Sequence, residues 1–184
     1  MYDAARMSGE AATVRVGDVE LCYELRGSGV PLLLVMGLGA QMVVWPDGFC
    51  DALVERGFAV LRFDNRDVGA STRLRHLGVP SLRRSMVRWA TGRSVPAPYA
   101  LDDLAADTLG LLDAVGWSDA HVVGAAMGGM IAQLLAIAQP QRVRSLTSIM
   151  SHPADKLSMV PTPRAMAALL GSAPRTAEQA GESW

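Results

Sequence analysis

The sequence predicts an α/β protein with a mostly parallel sheet, and three observations lead to that class. Two runs, 31–36 and 58–63, are interpreted as apolar strands buried on both faces of a parallel sheet. Segments with helical periodicity separate such runs, so strands and helices alternate along the chain. The chain has 184 residues, half of them hydrophobic, and is long enough to bury a core.

The predicted elements follow one another from a polar tail at 1–11 to an apolar strand that ends at Met150. Alternation around a Gly-Asp turn predicts an antiparallel hairpin, and apolar runs and helical periodicity predict the other elements. Their predicted order is a hairpin over 13–16 and 19–26, a strand over 31–36, a helix over 49–56, a strand over 58–63, a helix over 101–115, a strand over 121–123, a helix over 127–139 and a strand over 143–150.

Residues 73–93, called the basic segment here, interrupt this alternation. Six arginines surround Leu82, Met86, Val87 and Trp89 in this stretch. A short basic amphipathic helix with a lid-like role and a solvated connection are both compatible with the pattern. A helix lying on a membrane surface is a third alternative, which the shortness of the segment disfavours.

Composition and charge indicate which partners and which cellular location to expect for this protein. The net charge is −1 and its signs are interspersed, so nucleic acid is not expected as a partner. Cys22 and Cys50 lie far apart among apolar neighbours, which predicts buried thiols and no metal site or cofactor. The sequence shows no signal peptide and no apolar run of the ~20 residues that a membrane span needs, so we expect a cytoplasmic protein. It specifies no oligomeric state.

The most informative stretch is 122–130, where a buried strand turns at once into a buried helix through the pattern G-x-A-x-G-G. In the nucleophile elbow, G-x-S-x-G, the central serine sits on a strained turn that lifts its side chain above the sheet. Gly124 and Gly128 occupy the glycine positions, where the missing Cβ allows strand and helix to approach closely. Ala126 stands at the central position, which the pattern indicates was built for serine.

Two further motifs give this turn a context. The run from Asp64 to Ser71 is of the D-x-R-G-x-G-x-S type, with Asp67 at the first glycine position. The turn around Leu38 stands where an H-G-x-G oxyanion turn is expected, followed by Trp45-Pro46. From about Val14 to Met150 the sequence resembles the α/β-hydrolase family, in the esterase branch that includes the polyketide methylesterases of the aclacinomycin type.

This resemblance implies ester hydrolysis by a serine acyl-enzyme mechanism, with a small hydrophobic ester as substrate. The oxyanion donors carried over to this sequence are the backbone N–H groups of Leu38 and Met127, the residue after the nucleophile position Ala126. The Asp and His of the family fall beyond residue 184. We therefore expect an N-terminal portion of the fold that lacks the C-terminal strands and is inactive, with core residues at 12–150 and the start of a cap at 151–184.

Substitutes for the missing catalytic groups are scarce in the sequence. His76 lies in the basic segment, and His121 begins the strand before Ala126. Ser151 and His152 are adjacent in sequence, and adjacent side chains rarely point at one reacting atom. Asp64 is better explained as a turn residue that caps local N–H groups. A non-catalytic small-molecule-binding protein and a non-functional truncated gene product remain alternatives to an esterase.

Overall fold

The structure, a computed structural model, describes residues 8–78, 81–153, 162 and 164. The chain divides into two compact units, Met1–Ser151 and His152–Trp184. All elements below belong to the first unit. Most of the predicted cap region lies outside the described residues, so its role as a cap stays a prediction.

Six strands form one sheet in the order β1-β2-β4-β3-β5-β6. The first two contacts, β1 with β2 and β2 with β4, are antiparallel, and the other three are parallel. The predicted α/β class with an N-terminal antiparallel hairpin is confirmed. The elements are β1 (Ser8–Val16), β2 (Val19–Arg26), β3 (Val30–Val35), α1 (Asp47–Val54), β4 (Phe58–Phe63), α2 (Leu82–Ala90), α3 (Leu101–Ala114), β5 (Ala120–Ala125), α4 (Met127–Ala138) and β6 (Val143–Ile149).

The prediction of a loose polar tail is wrong from Ser8 onward, because β1 begins there. Ser8 pairs with Arg26, and Ala11 pairs with Glu24, across an irregularity in the ladder. Without this extension of β1, the backbone N–H and C=O groups of β2 around Glu24 and Arg26 would lack partners on that side. Satisfying those groups outweighs the weak strand propensity of small polar residues.

The burial of β3 on both faces explains its continuous apolar sequence. Leu33 and Val35 belong to a core cluster that includes residues of α3 and α4. Leu32 and Leu34 point to the opposite face, where they join a second cluster with Cys50 of α1. Both cysteines are buried free thiols, as the sequence predicts.

At the other side of the sheet, β6 pairs only with β5 among the described strands. Most of its side chains are exposed, including Leu146 and Ile149. The neighbouring helix α4 is apolar nearly all round, and its C-terminal end is exposed, with Ile137 at 76%. No helix in the described part of the chain is long and apolar enough to span a membrane.

The parallel strands β3, β4 and β5 end at one edge of the sheet, where the segments that follow them meet. These are the turn after β3, the polar turn that begins at Asp64, and the junction between β5 and α4. In open α/β sheets, ligands bind outside this carboxyl edge. A ligand site is therefore expected at this edge.

Candidate functional site

Ala126 forms the whole connection between β5 and α4. Its backbone has φ 52° and ψ −121°, a conformation that residues with a Cβ rarely adopt. The Ala126 N–H donates to the Ile149 carbonyl at 2.9 Å, and its own carbonyl accepts from the Gly129 N–H at 3.0 Å. The side chain is exposed at the carboxyl edge of the sheet.

Two buried glycines hold this turn in place by permitting contacts between backbones. A Cβ added to Gly124 would lie 2.3 Å from the Gly128 carbonyl oxygen. A Cβ added to Gly128 would lie 2.2 Å from the carbonyl oxygen of Val35 in β3. Any larger residue at either position would push helix and sheet apart, so the tight packing imposes the strained backbone of Ala126.

Gly129 is a third glycine of this kind, at a position that the G-x-S-x-G pattern does not specify. A Cβ on it would lie 2.6 Å from the Ser151 Oγ and 2.8 Å from the Ser148 Oγ. The doubled glycine after Ala126 is the sequence signal that points to this second close approach. It brings the end of β6 against the first turn of α4.

The turn after β3 lies directly beside Ala126. A Cβ on Gly37 would be 3.0 Å from the Ala126 Cβ and 3.4 Å from the backbone nitrogen of Met127. Leu38 follows with its side chain 82% exposed. Within the described ranges, the N–H groups of Leu38 and Met127 donate to no backbone or side-chain acceptor. The N–H groups of Leu38 and Met127, unused within those ranges, thus belong to the two segments that meet at Ala126.

Side chains at the end of β4 fix the loop that carries Leu38. The Asn65 side-chain amide donates to the Met36 carbonyl at 3.0 Å. The Asp64 carboxylate accepts from the Met42 N–H at 2.7 Å and from the Ala70 N–H at 3.0 Å. Asp64 is 4% exposed, and its predicted role as a cap of local N–H groups is confirmed.

A buried arginine holds the far end of the same loop. Interpreting 58–63 as an apolar strand overlooks Arg62, which is 3% exposed and donates to the Trp45 carbonyl. Its guanidinium also binds Glu24 at 2.7 Å and Asp47 at 2.7 Å. The hydrogen bond from Arg62, helped by the charge of Arg26, lowers the pKa of Asp47. A charge in the middle of an apolar strand is the signal that identifies this residue.

Of the two histidines of the first unit, His121 is not arranged as a partner for position 126. His121 lies at the opposite end of β5, where its Nδ1 is 2.7 Å from the Ser145 Oγ. Five residues of extended strand separate it from Ala126, or about 16 Å. His76 is exposed in a short 3-10 turn.

The suggested Ser151–His152 pair spans the boundary between the two units and stays untested. The Ser151 hydroxyl is buried beside Gly129, without a hydrogen-bond partner in the described part of the chain. No group of three His, Cys, Asp or Glu side chains suited to a metal ion occurs among the described residues.

A cavity of about 360 Å³ lies at the opposite edge of the sheet. Pro31 at the start of β3 and Ala59 at the start of β4 line it, together with Trp117 and an ion pair between Asp119 and Arg144 at 2.6 Å. It is therefore separate from the surface around Ala126.

The sequence also has recognisable relatives. It is 38% identical over 127 residues to a rhodomycin D methylesterase of Streptomyces peucetius, which covers 68% of this chain and 36% of that protein. A rhodomycin D methylesterase of Streptomyces sp. strain C5 is 36% identical over 125 residues, with the same two shares. The chain thus spans little more than a third of the length of these relatives.

A solved structure agrees with this relationship. A hydrolase from Pseudomonas aeruginosa superimposes with a TM-score of 0.63 and 30% sequence identity, covering 95% of this chain and 58% of that one. The sequence matches the alpha/beta hydrolase fold family over residues 30–178, which is most of its length. With its sheet order and the turn at Ala126, the chain belongs to the α/β-hydrolase fold family.

Proposed function

We propose that this chain carries the nucleophile elbow and the oxyanion donors of a serine-type ester hydrolase, and that it does not hydrolyse esters itself because Ala126 occupies the nucleophile position. The observation that carries the proposal is the backbone of Ala126, at φ 52° and ψ −121°, between a strand and a helix. Such a conformation costs about 1–3 kcal/mol and is typical of functional sites. An alanine side chain gains nothing from it.

The backbone N–H groups of Leu38 and Met127 suit the carbonyl oxygen of an ester during nucleophilic attack. In an acyl-transfer site, two backbone N–H groups stabilise the negative oxygen of the tetrahedral intermediate, with about 3–4 kcal/mol from each in related cases. The N–H of Met127 stands at the first position of α4, where the helix dipole adds positive potential. The N–H of Leu38 approaches from the turn after β3. Without a serine Oγ no atom is placed to attack, so no acyl-enzyme forms.

The side chains next to this turn favour an apolar ester. Leu38 is 82% exposed and Met150, which follows the Ile149 carbonyl bound by Ala126, is 85% exposed. Val43 and Val44, which follow Leu38 in the segment after β3, are 61% and 56% exposed. The similarity to rhodomycin D methylesterases supports an ester as the substrate.

Binding without catalysis is the second candidate function. It is favoured by the two free N–H groups, which are kept in place although the nucleophile is absent. In that case a carbonyl or carboxylate ligand would raise the melting temperature of the folded chain. A chain that is insoluble or molten after purification would instead favour a gene product without function.

Two measurements on the full chain test the proposal. The native chain should show no turnover of p-nitrophenyl acetate or butyrate above buffer. A126S alone should stay inactive, because no general base for position 126 is identified among the described residues. Turnover by the native chain that survives purification, and is lost in S151A or H152A, would overturn the claim of inactivity.

The second measurement tests the elbow itself. Phenylboronic acid changes from trigonal to tetrahedral boron when it bonds to a serine oxygen, which boron NMR detects. A126S should gain this signal over the native chain, because its hydroxyl would stand beside both donors. If A126S and the native chain behave alike while both remain folded, position 126 is not a nucleophile position.

A further inference from the structure

The basic segment concentrates positive charge in a chain that is otherwise nearly neutral. Six arginines lie in it, whereas no Asp or Glu occurs between Asp67 and Asp102. The whole protein carries a net charge of −1, so the excess is local and not a general bias. Such a field extends over about a Debye length and attracts anionic partners.

Among the described residues, no carboxylate forms a salt bridge with an arginine of the basic segment. Elsewhere in the first unit, five arginines form salt bridges with carboxylates: Arg26, Arg62, Arg66, Arg142 and Arg144. In the basic segment, Arg73 donates to the backbone carbonyl of Gly69 and Arg88 to that of Ser94. Arg83 and Arg84 form no ion pair with any residue in the described ranges. Within those ranges, no carboxylate therefore competes with an external anion for these guanidinium groups.

Apolar side chains stand among these arginines on the exposed surface. Arg83, Arg84 and Arg88 surround Val87 on the outer face of α2, and Val87 is 64% exposed. Leu77, just before the helix, is 50% exposed. An arginine can keep its charged end at the headgroups while its apolar stem, and a neighbouring aliphatic side chain, enter the acyl boundary.

A groove beside α2 adds a place for a headgroup. It has a volume of about 570 Å³ and runs between the helix and the proline-rich stretch at 96–98. Arg84 and Arg88 line it together with the hydroxyl-bearing Ser81 and Ser85. Guanidinium and hydroxyl donors of this kind suit the oxygens of a phosphate ester.

We propose that the basic segment is a docking surface for an anionic phospholipid membrane. Exposed aliphatic side chains among the arginines distinguish a lipid surface from nucleic acid, which would leave Val87 and Leu77 in contact with phosphate or water. A helix of nine residues buries little apolar area, so the association is peripheral, reversible and dependent on salt. The proposal is independent of any ester chemistry at Ala126.

Vesicle sedimentation with the full chain tests this surface. The protein should bind vesicles that contain phosphatidylserine, should not bind vesicles of phosphatidylcholine alone, and should be released by high salt. Each arginine near an anionic surface contributes about fivefold to partitioning, so the double variant R83Q/R84Q should bind about 25-fold more weakly. V87N keeps the charge and should still lose about fivefold, because the aliphatic contact is gone.

The matched control is R15Q/R56Q, which removes the same net charge from two exposed arginines outside the basic segment. It should bind like the native chain. Equal loss in the control and in R83Q/R84Q, or equal binding to both kinds of vesicle, would overturn the proposal. Tighter binding to a single-stranded RNA than to vesicles, without any effect of V87N, would also overturn it in favour of a general polyanion site.

Discussion

Replacing Ala126 with glycine should stabilise this protein, although the same change almost anywhere else in a helix or strand destabilises one. The backbone at φ 52° and ψ −121° costs an alanine about 1–3 kcal/mol. Glycine adopts this conformation freely but has more conformational freedom in the unfolded chain, which offsets about 0.5–1 kcal/mol. The Ala126 side chain is exposed, so its removal loses little burial. The expected net gain is about 0.5–2 kcal/mol in the free energy of unfolding.

Urea unfolding followed by circular dichroism measures this gain, and a melting curve should rise by about 2–4 °C per kcal/mol. The matched control is A106G, at an exposed position inside α3, which should lower the free energy of unfolding by about 1 kcal/mol. Both variants remove the Cβ of an exposed alanine, so the difference between them reports chiefly the backbone conformation at the substituted residue. If A126G destabilises the chain as much as A106G does, the turn is not strained and the argument for an elbow loses its basis.

Two further substitutions test how the site is held. G128A should lower the free energy of unfolding by about 3 kcal/mol or more, because its Cβ would lie 2.2 Å from the Val35 carbonyl oxygen. The control G48A, in open space within α1, should be neutral or stabilising. Equal effects of the two variants on urea unfolding would show that the close approach at Gly128 relaxes easily. D64N should lower the free energy of unfolding by about 2–3 kcal/mol, because it turns one acceptor of a backbone N–H into a donor. The control D51N, at an exposed ion pair, should change it by less than about 1 kcal/mol. A loss in D64N no larger than that in D51N would mean that the buried carboxylate does not hold the loop.

Much of the fold is predictable because its signals are local. The apolar run of β3 predicts a strand whatever surrounds it, since Leu32 and Leu33 must be buried on opposite faces. The glycines at 124 and 128 predict a close approach of strand and helix, and the structure places backbone atoms within 2.3 Å of any Cβ there. In each case the residue type alone restricts the geometry.

The contacts that organise the site are harder to predict, because they join residues far apart in the chain. Arg62 reaches the Trp45 carbonyl, and Asn65 reaches the Met36 carbonyl across 29 positions. Neither pair follows from periodicity or spacing. Each arises only once β3 and β4 lie side by side, so the three-dimensional register decides which polar side chain meets which loop.

The strained turn also explains how the fold can persist without a serine. The conformation of Ala126 does not depend on its own side chain, since the backbone contacts of Gly124 and Gly128 and the hydrogen bond to the Ile149 carbonyl impose it. Under the proposed function, alanine at this position lacks the nucleophile, while the backbone that carries the N–H groups of Leu38 and Met127 is unchanged. Selection for stability alone would favour glycine at 126, because that residue relieves the strain. The alanine retains the Cβ of a serine and lacks only its oxygen, which makes A126S the smallest change that places a hydroxyl beside both donors.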